Sequence, residues 1–281
     1  MEAREKEGAL EKRREALEDE MGCEGEPYRI ALSFDPDDDP SPLFDYGFHL
    51  AELLKGEVIV VHALEHIVST DTSKEEEKIH RLVEEIIASL REEWKRIPHR
   101  VEIIYGKEID SFVHFVEREK IDLFGFYYYR KLLGKSLSEQ FIRYLTNCSL
   151  LVVKDKMEFR PVKKVLVPLD FSDSSFKQKE FILRLKACAP YPIKVVFLHV
   201  LNGETDGAQE EEVKLLFGEL FDNLGELKIA YGDAAEVILH ELQKGDYNLV
   251  VIGRTGRGLN LECGKVTEAV IKGAPCPVVV V

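Results

Sequence analysis

A glycine-rich loop near the end of the chain has the composition of a phosphate-binding site. Four glycines and three cations lie between an apolar run and a helical pattern: Gly253, Arg254, Gly256, Arg257, Gly258, Gly264 and Lys265. Glycines allow backbone N–H groups to approach an anion without a side chain in the way. The N-terminus of the helix that follows adds about half a positive charge. The loop therefore predicts an anion site.

Five further residues lie at the ends of predicted strands or at the start of that helix: Pro168, Asp170, Val200, Ile252 and Val266. Ligands of parallel α/β sheets bind at the carboxyl ends of the strands. A carboxylate such as Asp170 can accept hydrogen bonds from a ribose or an adenine. Together with the loop, these residues predict one site at a single edge of the sheet.

The elements that must position this site occur twice in the chain. YRIALSFD (28–35) aligns with KKVLVPLD (163–170), and the next strands, VIVVHAL and VVFLHVL, place His62 and His199 at equivalent points. Two later segments align in the same order at a nearly constant offset. The repeat predicts two tandem copies of a domain of about 125 residues.

Each copy alternates near-continuous apolar strands with helical patterns, which predicts an α/β fold with two doubly wound parallel sheets. We expect a charged helical arm over residues 1–26, a first domain over 27–154, a linker over 155–162 and a second domain over 163–281. Both domains end in an apolar strand that would aggregate if it were left as an open edge. We therefore expect the two strands to meet in an internal pseudo-dimer, which leaves a further homodimer open.

Charge and cysteine content restrict the partners and the compartment. The formal net charge of −14 argues against nucleic acids and anionic membranes, which require a basic face. No apolar run approaches the length of a membrane span, and the first residues lack the apolar core of a signal peptide. The five cysteines lack C-x-x-C spacing, which favours a cytoplasmic protein with free thiols. They are Cys23, Cys148, Cys188, Cys263 and Cys276.

The motifs of the second copy resemble those of the universal stress protein family. The shared features are Pro168-x-Asp170, Gly253-x2-Gly256, Gly264, the helix start at 266–268 and the APCPV run at 274–278. The resemblance implies an adenine nucleotide alpha-hydrolase-like fold and a non-enzymatic stress or regulatory protein, with at most weak ATPase activity. It implies ATP, with Mg²⁺, or AMP as ligand, and a protein partner that the sequence does not identify.

The sequence departs from the family pattern at the loop. The stretch between Gly256 and Gly264 is two residues shorter than in the family, and Lys265 replaces a serine or threonine. In the first copy, Tyr127 and Arg130 align with Gly253 and Gly256. Bulky rings cannot form a backbone cradle, so we expect nucleotide in the second domain only and packing at the domain junction as the role of Tyr127 to Tyr129.

The sequence gives less support to a metal site or a catalytic site. The acidic run from Asp35 to Asp39 lacks the glycine and the glutamate of an EF-hand, which favours a solvated turn and no metal site. We expect His199 to be an ordinary, hydrogen-bonded histidine. We predict no catalytic residue, because no histidine or activated nucleophile accompanies the glycines. A protein-interaction module of the same fold, without bound nucleotide, is the alternative function.

Overall fold

The computed structural model describes residues 26–64, 72–106, 108–129, 136–201, 203, 207–256 and 263–281. The predicted arm at residues 1–26 thus lies outside the described residues, except for Glu26. The elements of the first half (28–153) are β1 (Tyr28–Ser33), α1 (Ser41–Leu54), β2 (Gly56–Leu64), α2 (Thr72–Ser89), a short 3₁₀ helix (Trp94–Arg96), β3 (His99–Tyr105), α3 (Glu108–Glu119), β4 (Leu123–Tyr127), α4 (Leu137–Tyr144) and β5 (Ser149–Val153).

The second half (164–281) repeats this order of strands and helices. Its elements are β6 (Lys164–Pro168), α5 (Asp173–Cys188), β7 (Lys194–Leu201), α6 (Gly207–Phe221), β8 (Glu226–Tyr231), α7 (Ala234–Lys244), β9 (Leu249–Ile252), α8 (Lys265–Gly273) and β10 (Val278–Val280). The internal repeat in the sequence is therefore a repeat of structure.

The ten strands of the described residues form one sheet in the order β3-β2-β1-β4-β5-β10-β9-β6-β7-β8. Neighbouring strands are parallel except at the centre, where β5 and β10 are antiparallel and Val279 lies opposite Leu151. Each half is thus a doubly wound sheet, and the two halves meet through their last strands. This confirms the predicted fold class and internal pseudo-dimer. Because β5 and β10 pair with each other, neither strand is an open edge for a second copy.

Two apolar layers cover the two faces of the sheet. Side chains of a strand alternate between faces, so Ile30 and Leu32 join one layer and Ala31 joins the other. The first layer includes residues of α1, α2, α5 and α6, and the second includes residues of α3, α4, α7 and α8. Both layers continue across the central strand pair, which makes the two halves share their cores.

The segment between β5 and β6 is packed against both halves. The Phe159 ring lies 5.1 Å from that of Tyr46 and 5.2 Å from that of Trp94. The buried His49 of α1 accepts a 3.0 Å hydrogen bond at Nε2 from the N–H of Val162. The same nitrogen lies 3.1 Å from the hydroxyl of Tyr191, in the second half. These contacts fix the connecting segment between the halves.

Cysteine chemistry differs from the expectation at one position. Cys148, Cys263 and Cys276 carry free thiols, whereas Cys188 is disulfide-bonded. The expectation of free thiols therefore holds for these three residues, while Cys23 lies outside the described residues.

Candidate functional site

A cavity of 630 Å³ opens at the carboxyl ends of β6, β7 and β9 in the second half. Nine of the ten residues predicted from the sequence line it: Pro168, Asp170, Val200, Ile252, Gly253, Gly256, Gly264, Lys265 and Val266. The tenth, Arg257, lies outside the described residues. The fold therefore brings residues from four separate segments to one cavity.

The remaining lining residues were not predicted. They are Leu169, Gln178, Leu198, His199, Leu201, Gln209, Ala234, Ile238, Thr255 and Thr267. The apolar part of the lining comes from the end of β7 and the first turns of α7, while the loop and the start of α8 form another part of it. The sequence pattern predicted the helix α7, but it did not predict that Ala234 and Ile238 of this helix would line the same cavity as the end of β7.

Asp170 directly follows β6, and its carboxylate is held in place by the next turn. Oδ1 of Asp170 accepts hydrogen bonds from the N–H of Ser172 at 3.0 Å and from the hydroxyl of Ser175 at 3.4 Å. Phe171, between them, has a left-handed backbone (φ 54°), a conformation that costs energy for a bulky residue. Its ring packs 5.2 Å from that of His199. The sharp turn thus directs Asp170 into the cavity.

Close contacts require a glycine at two positions of the loop, Gly253 and Gly256. A Cβ at Gly253 would lie 2.6 Å from Cβ of Ser174, and a Cβ at Gly256 would lie 3.0 Å from Oδ2 of Asp170. Oδ2 of Asp170 therefore lies directly beside the backbone of Gly256. A Cβ at Gly264 would meet nothing closer than 3.6 Å, so this glycine is not required by the local packing.

The two ends of the loop are joined by hydrogen bonds. The N–H of Gly264 donates to the carbonyl of Arg254 at 2.9 Å, and the hydroxyl of Thr267 donates to the carbonyl of Gly253 at 2.7 Å. Gly264 is also the N-cap residue of α8 and has no capping side chain. The N-terminus of this helix, where the dipole is positive, thus lies at the cavity.

Two described cations at the loop, Lys265 and Arg254, point in different directions. Lys265, the first residue of α8, lines the cavity. Arg254 points away and donates to the carbonyls of Ile142 at 2.5 Å and Leu145 at 2.7 Å, in the first half. The expectation that Arg254 adds positive charge beside a bound anion is therefore wrong. Burial lowers the pKa of its guanidinium, and the carbonyls compensate its lost hydration.

His199 has the ordinary role that the sequence suggested. It is buried, and its Nδ1 lies 2.7 Å from the carbonyl of Leu169. This bond joins the ends of β6 and β7 beneath the cavity. His199 thus supports the floor of the site.

The first half has an equivalent cavity, of 420 Å³, with a different lining. Tyr127 and Tyr129 extend across it to the acidic turn. The hydroxyl of Tyr127 donates to the carbonyl of Asp39 at 2.8 Å, and that of Tyr129 donates to Oδ2 of Asp38 at 2.7 Å. Tyr127 and Tyr129 therefore bond within their own half, a role that the expected packing at the domain junction did not include.

The described residues contain no cluster of three or more histidine, cysteine or acidic side chains that could hold a metal ion. Asp35 instead stabilises its own turn, because its Oδ1 accepts the N–H of Asp37 at 3.1 Å. Among the described helices, none has the length and apolar character needed to cross a bilayer.

Comparisons with known proteins agree with this architecture. Residues 161–281 match the universal stress protein family. A universal stress protein from Archaeoglobus fulgidus DSM 4304 has a similar structure, with a TM-score of 0.65 and 16% identity over 89% of this chain and 97% of that one. A functionally unknown protein from Pseudomonas aeruginosa PAO1 gives a TM-score of 0.63 and 16% identity over 91% and 92%.

No curated protein sequence is significantly similar to the chain. At these identities the solved structures establish the fold alone, and the family match covers the second half, residues 161–281. The second half thus matches the universal stress protein family, and the two halves together have the fold of the solved structures above.

Proposed function

We propose that the cavity of the second half binds an adenine nucleotide, ATP or AMP, and that the chain acts as a non-enzymatic regulator in a stress response. The observation that carries this proposal is the convergence of Asp170, the glycines of the loop and Lys265 on one cavity. Its volume of 630 Å³ is that of a small-molecule site, typically about 300–1,000 Å³.

Each wall of the cavity suits one part of a nucleotide. The apolar side chains of Leu198, Val200 and Ile238 would contact the adenine ring. The Asp170 carboxylate would accept hydrogen bonds from the ribose hydroxyls. Lys265, as a point charge, and the N-terminal amides of α8 would contact the phosphates. If ATP is the ligand, Mg²⁺ would bind mainly to its phosphates, as this ion does in nucleotide sites.

The contrast between the halves supports binding in the second half only. In the first half, Tyr127 is buried at the position of Gly253, and Tyr129 reaches the acidic turn. Side chains therefore occupy the region where the second half presents bare backbone.

Calorimetric titration with AMP, ATP plus Mg²⁺, and adenosine tests the proposal. We expect heat from both nucleotides, with about tenfold weaker AMP binding in Lys265→Ala, because one phosphate contact is lost. Adenosine binding should not change in this variant. Lys272→Ala is the matched control, because Lys272 belongs to the same helix but pairs with Glu268 at 3.2 Å. Absence of heat at millimolar nucleotide with folded wild-type protein would refute the proposal.

The alternative, a protein-interaction module, is favoured by exposed apolar side chains on helices that cover one face. Phe176 on α5 is 53% exposed and Leu215 on α6 is 65% exposed. A partner that binds through these helices would be retained by a Gly256→Asp variant, which places a carboxylate inside the cavity. A partner that requires the nucleotide would be lost.

A further inference from the structure

We propose that Arg254 is a positioning residue that fixes the loop of the second-half cavity to α4 of the first half. The first half would then set the nucleotide affinity of the second. This inference rests on the proposed function for its ligand, but the hydrogen bonds that carry it do not depend on a ligand.

The backbone of Arg254 connects three elements of the second half. It lies two residues after Ile252, the last residue of β9. Its N–H donates to the carbonyl of Val281, beyond β10, at 2.9 Å, and its own carbonyl accepts the N–H of Gly264 at 2.9 Å. The loop therefore starts at Arg254 and returns to it, immediately before α8 begins. Movement of this one residue would displace both ends of the loop.

The side chain of Arg254 connects the same point to the first half. Its guanidinium donates to the carbonyls of Ile142, Leu145 and Cys148 at 2.5, 2.7 and 3.5 Å. Ile142 lies in the last turn of α4, and the other two residues follow its end. The last carbonyls of a helix lack intrahelical donors and carry the negative end of the dipole. Arg254 thus satisfies carbonyls that would otherwise require water.

Because Arg254 lies at the start of the loop, its contact with the first half affects the loop as well as the junction between the halves. The Gly256 amide, two residues after Arg254, would face a bound phosphate, and Gly264, whose N–H donates to the Arg254 carbonyl, lies beside it, ten residues after Arg254. A Cβ at Gly264 would lie 3.8 Å from the N of Gly256, so the two amides are close together. Their relative placement depends on the Arg254–Gly264 bond, and the guanidinium orients the residue that makes it.

Lys154 provides a matched contact on the opposite side of the junction. It follows β5, and its Nζ donates to the carbonyls of Lys272 at 2.9 Å and Ala274 at 2.7 Å. These carbonyls end α8, just as the acceptors of Arg254 end α4. Each half therefore caps a helix of the other with a cation. The bond of Lys154 reaches the end of α8 that is remote from the loop.

The experiment compares Arg254→Met, Arg254→Lys and Lys154→Met. The first readout is amide hydrogen exchange at Gly264 without nucleotide, and the second is AMP affinity by calorimetry. We expect Arg254→Met to accelerate Gly264 exchange and to weaken AMP binding about tenfold or more, the scale of one well-placed charged hydrogen bond. Lys154→Met should leave both readouts within about twofold, although it also loses a bond between the halves.

Arg254→Lys is expected to fall between wild type and Arg254→Met, because one ammonium cannot reach three separate carbonyls in the geometry of a guanidinium. If Arg254→Met does not fold, the measurements on Arg254→Lys provide the test. Unchanged Gly264 exchange in Arg254→Lys would overturn the proposal. Equal losses in the Arg254 and Lys154 variants would also overturn it, because they would indicate a general weakening of the junction.

The exchange readout separates this inference from the proposed function. If the wild type binds no nucleotide but Arg254→Met loosens Gly264, the positioning role stands and the nucleotide proposal fails. If the wild type binds AMP and the Arg254 variants bind it equally well, the nucleotide proposal stands and the role of Arg254 in setting its affinity fails.

Discussion

The hydroxyl of Tyr127 accepts a 3.0 Å hydrogen bond from the N–H of Leu43, the third residue of α1. It also donates to the carbonyl of Asp39 at 2.8 Å. The first amides of a helix have no intrahelical acceptor, so Tyr127 supplies a cap from a strand far away in sequence. The residue that replaces a glycine of the cavity in the first half is thus a structural element of that half.

Removal of this hydroxyl should destabilise the protein. We expect Tyr127→Phe to lower the free energy of unfolding by about 1–3 kcal/mol, because the buried N–H of Leu43 and the carbonyl of Asp39 both lose their partner. Tyr129→Phe is the control, since Tyr129 is 37% exposed and water can replace its bond to Asp38. Urea denaturation measures both values. Equal effects of the two changes would contradict the capping role.

Three glycine substitutions should have three different effects. Gly253→Ala should destabilise the protein by about 1–3 kcal/mol, because its Cβ would overlap Ser174. Gly264→Ala should cost less than about 1 kcal/mol but weaken AMP binding, since its methyl group would lie beside the N of Gly256. Gly218→Ala, with open space around it in α6, should stabilise by about 0.5–1 kcal/mol.

Thermal or urea unfolding of these variants, with calorimetry of AMP binding, checks this order. Full nucleotide affinity in a folded Gly264→Ala variant would contradict the role of the adjacent amides in phosphate binding.

The sequence was sufficient to predict the sheet and most of the site, because both depend on patterns along the chain. The repeat and the apolar last strands predicted the β5–β10 pairing. The strand ends predicted that Asp170 and Gly253 meet at one cavity. The direction of Arg254 could not be predicted, since its acceptors lie at the end of a helix in the other half. The bond from Leu43 to Tyr127 could not be predicted for the same reason, because Leu43 becomes its neighbour only through folding.

Stability should decrease in mild acid because of His49. Burial lowers the pKa of this imidazole below its usual 6.5, an effect that Arg91 reinforces and the Glu52 carboxylate opposes. The unfolded chain therefore binds a proton more readily than the folded one. Stability is complete above the unfolded pKa and is lost as the pH falls through about 6.5 toward the lower folded value, with a slope of at most about 1.4 kcal/mol per pH unit.

Urea denaturation between pH 7.5 and about 5.5 measures this effect. A His49→Phe variant should be less stable at pH 7.5, since Val162 loses its acceptor, but should show a flatter pH dependence. Some slope should remain, because burial also lowers the pKa of His62. An exposed histidine on α3, His114, is the control, and His114→Asn should keep the wild-type slope. An unchanged slope in His49→Phe would assign the effect to other groups.

The free thiols should react slowly in the folded protein. Burial raises the pKa of Cys263 to about 11 and that of Cys276 to about 12, from an ordinary 9.0. At pH 8 the thiolate fraction of Cys263 is then about one hundredth of that of an ordinary cysteine. Alkylation followed by mass spectrometry should show slow labelling without urea and rapid labelling with it. Rapid labelling of Cys276 in the folded state would contradict its burial.

The antiparallel pairing of β5 with β10 has a consequence for how the halves change over evolutionary time. In an assembly of identical subunits, every substitution appears on both sides of the contact. Here the two strands are different segments of one polypeptide. A substitution in one strand therefore leaves the other strand unchanged. The tyrosines of the first half and the bare loop of the second are the kind of divergence that such covalent asymmetry permits.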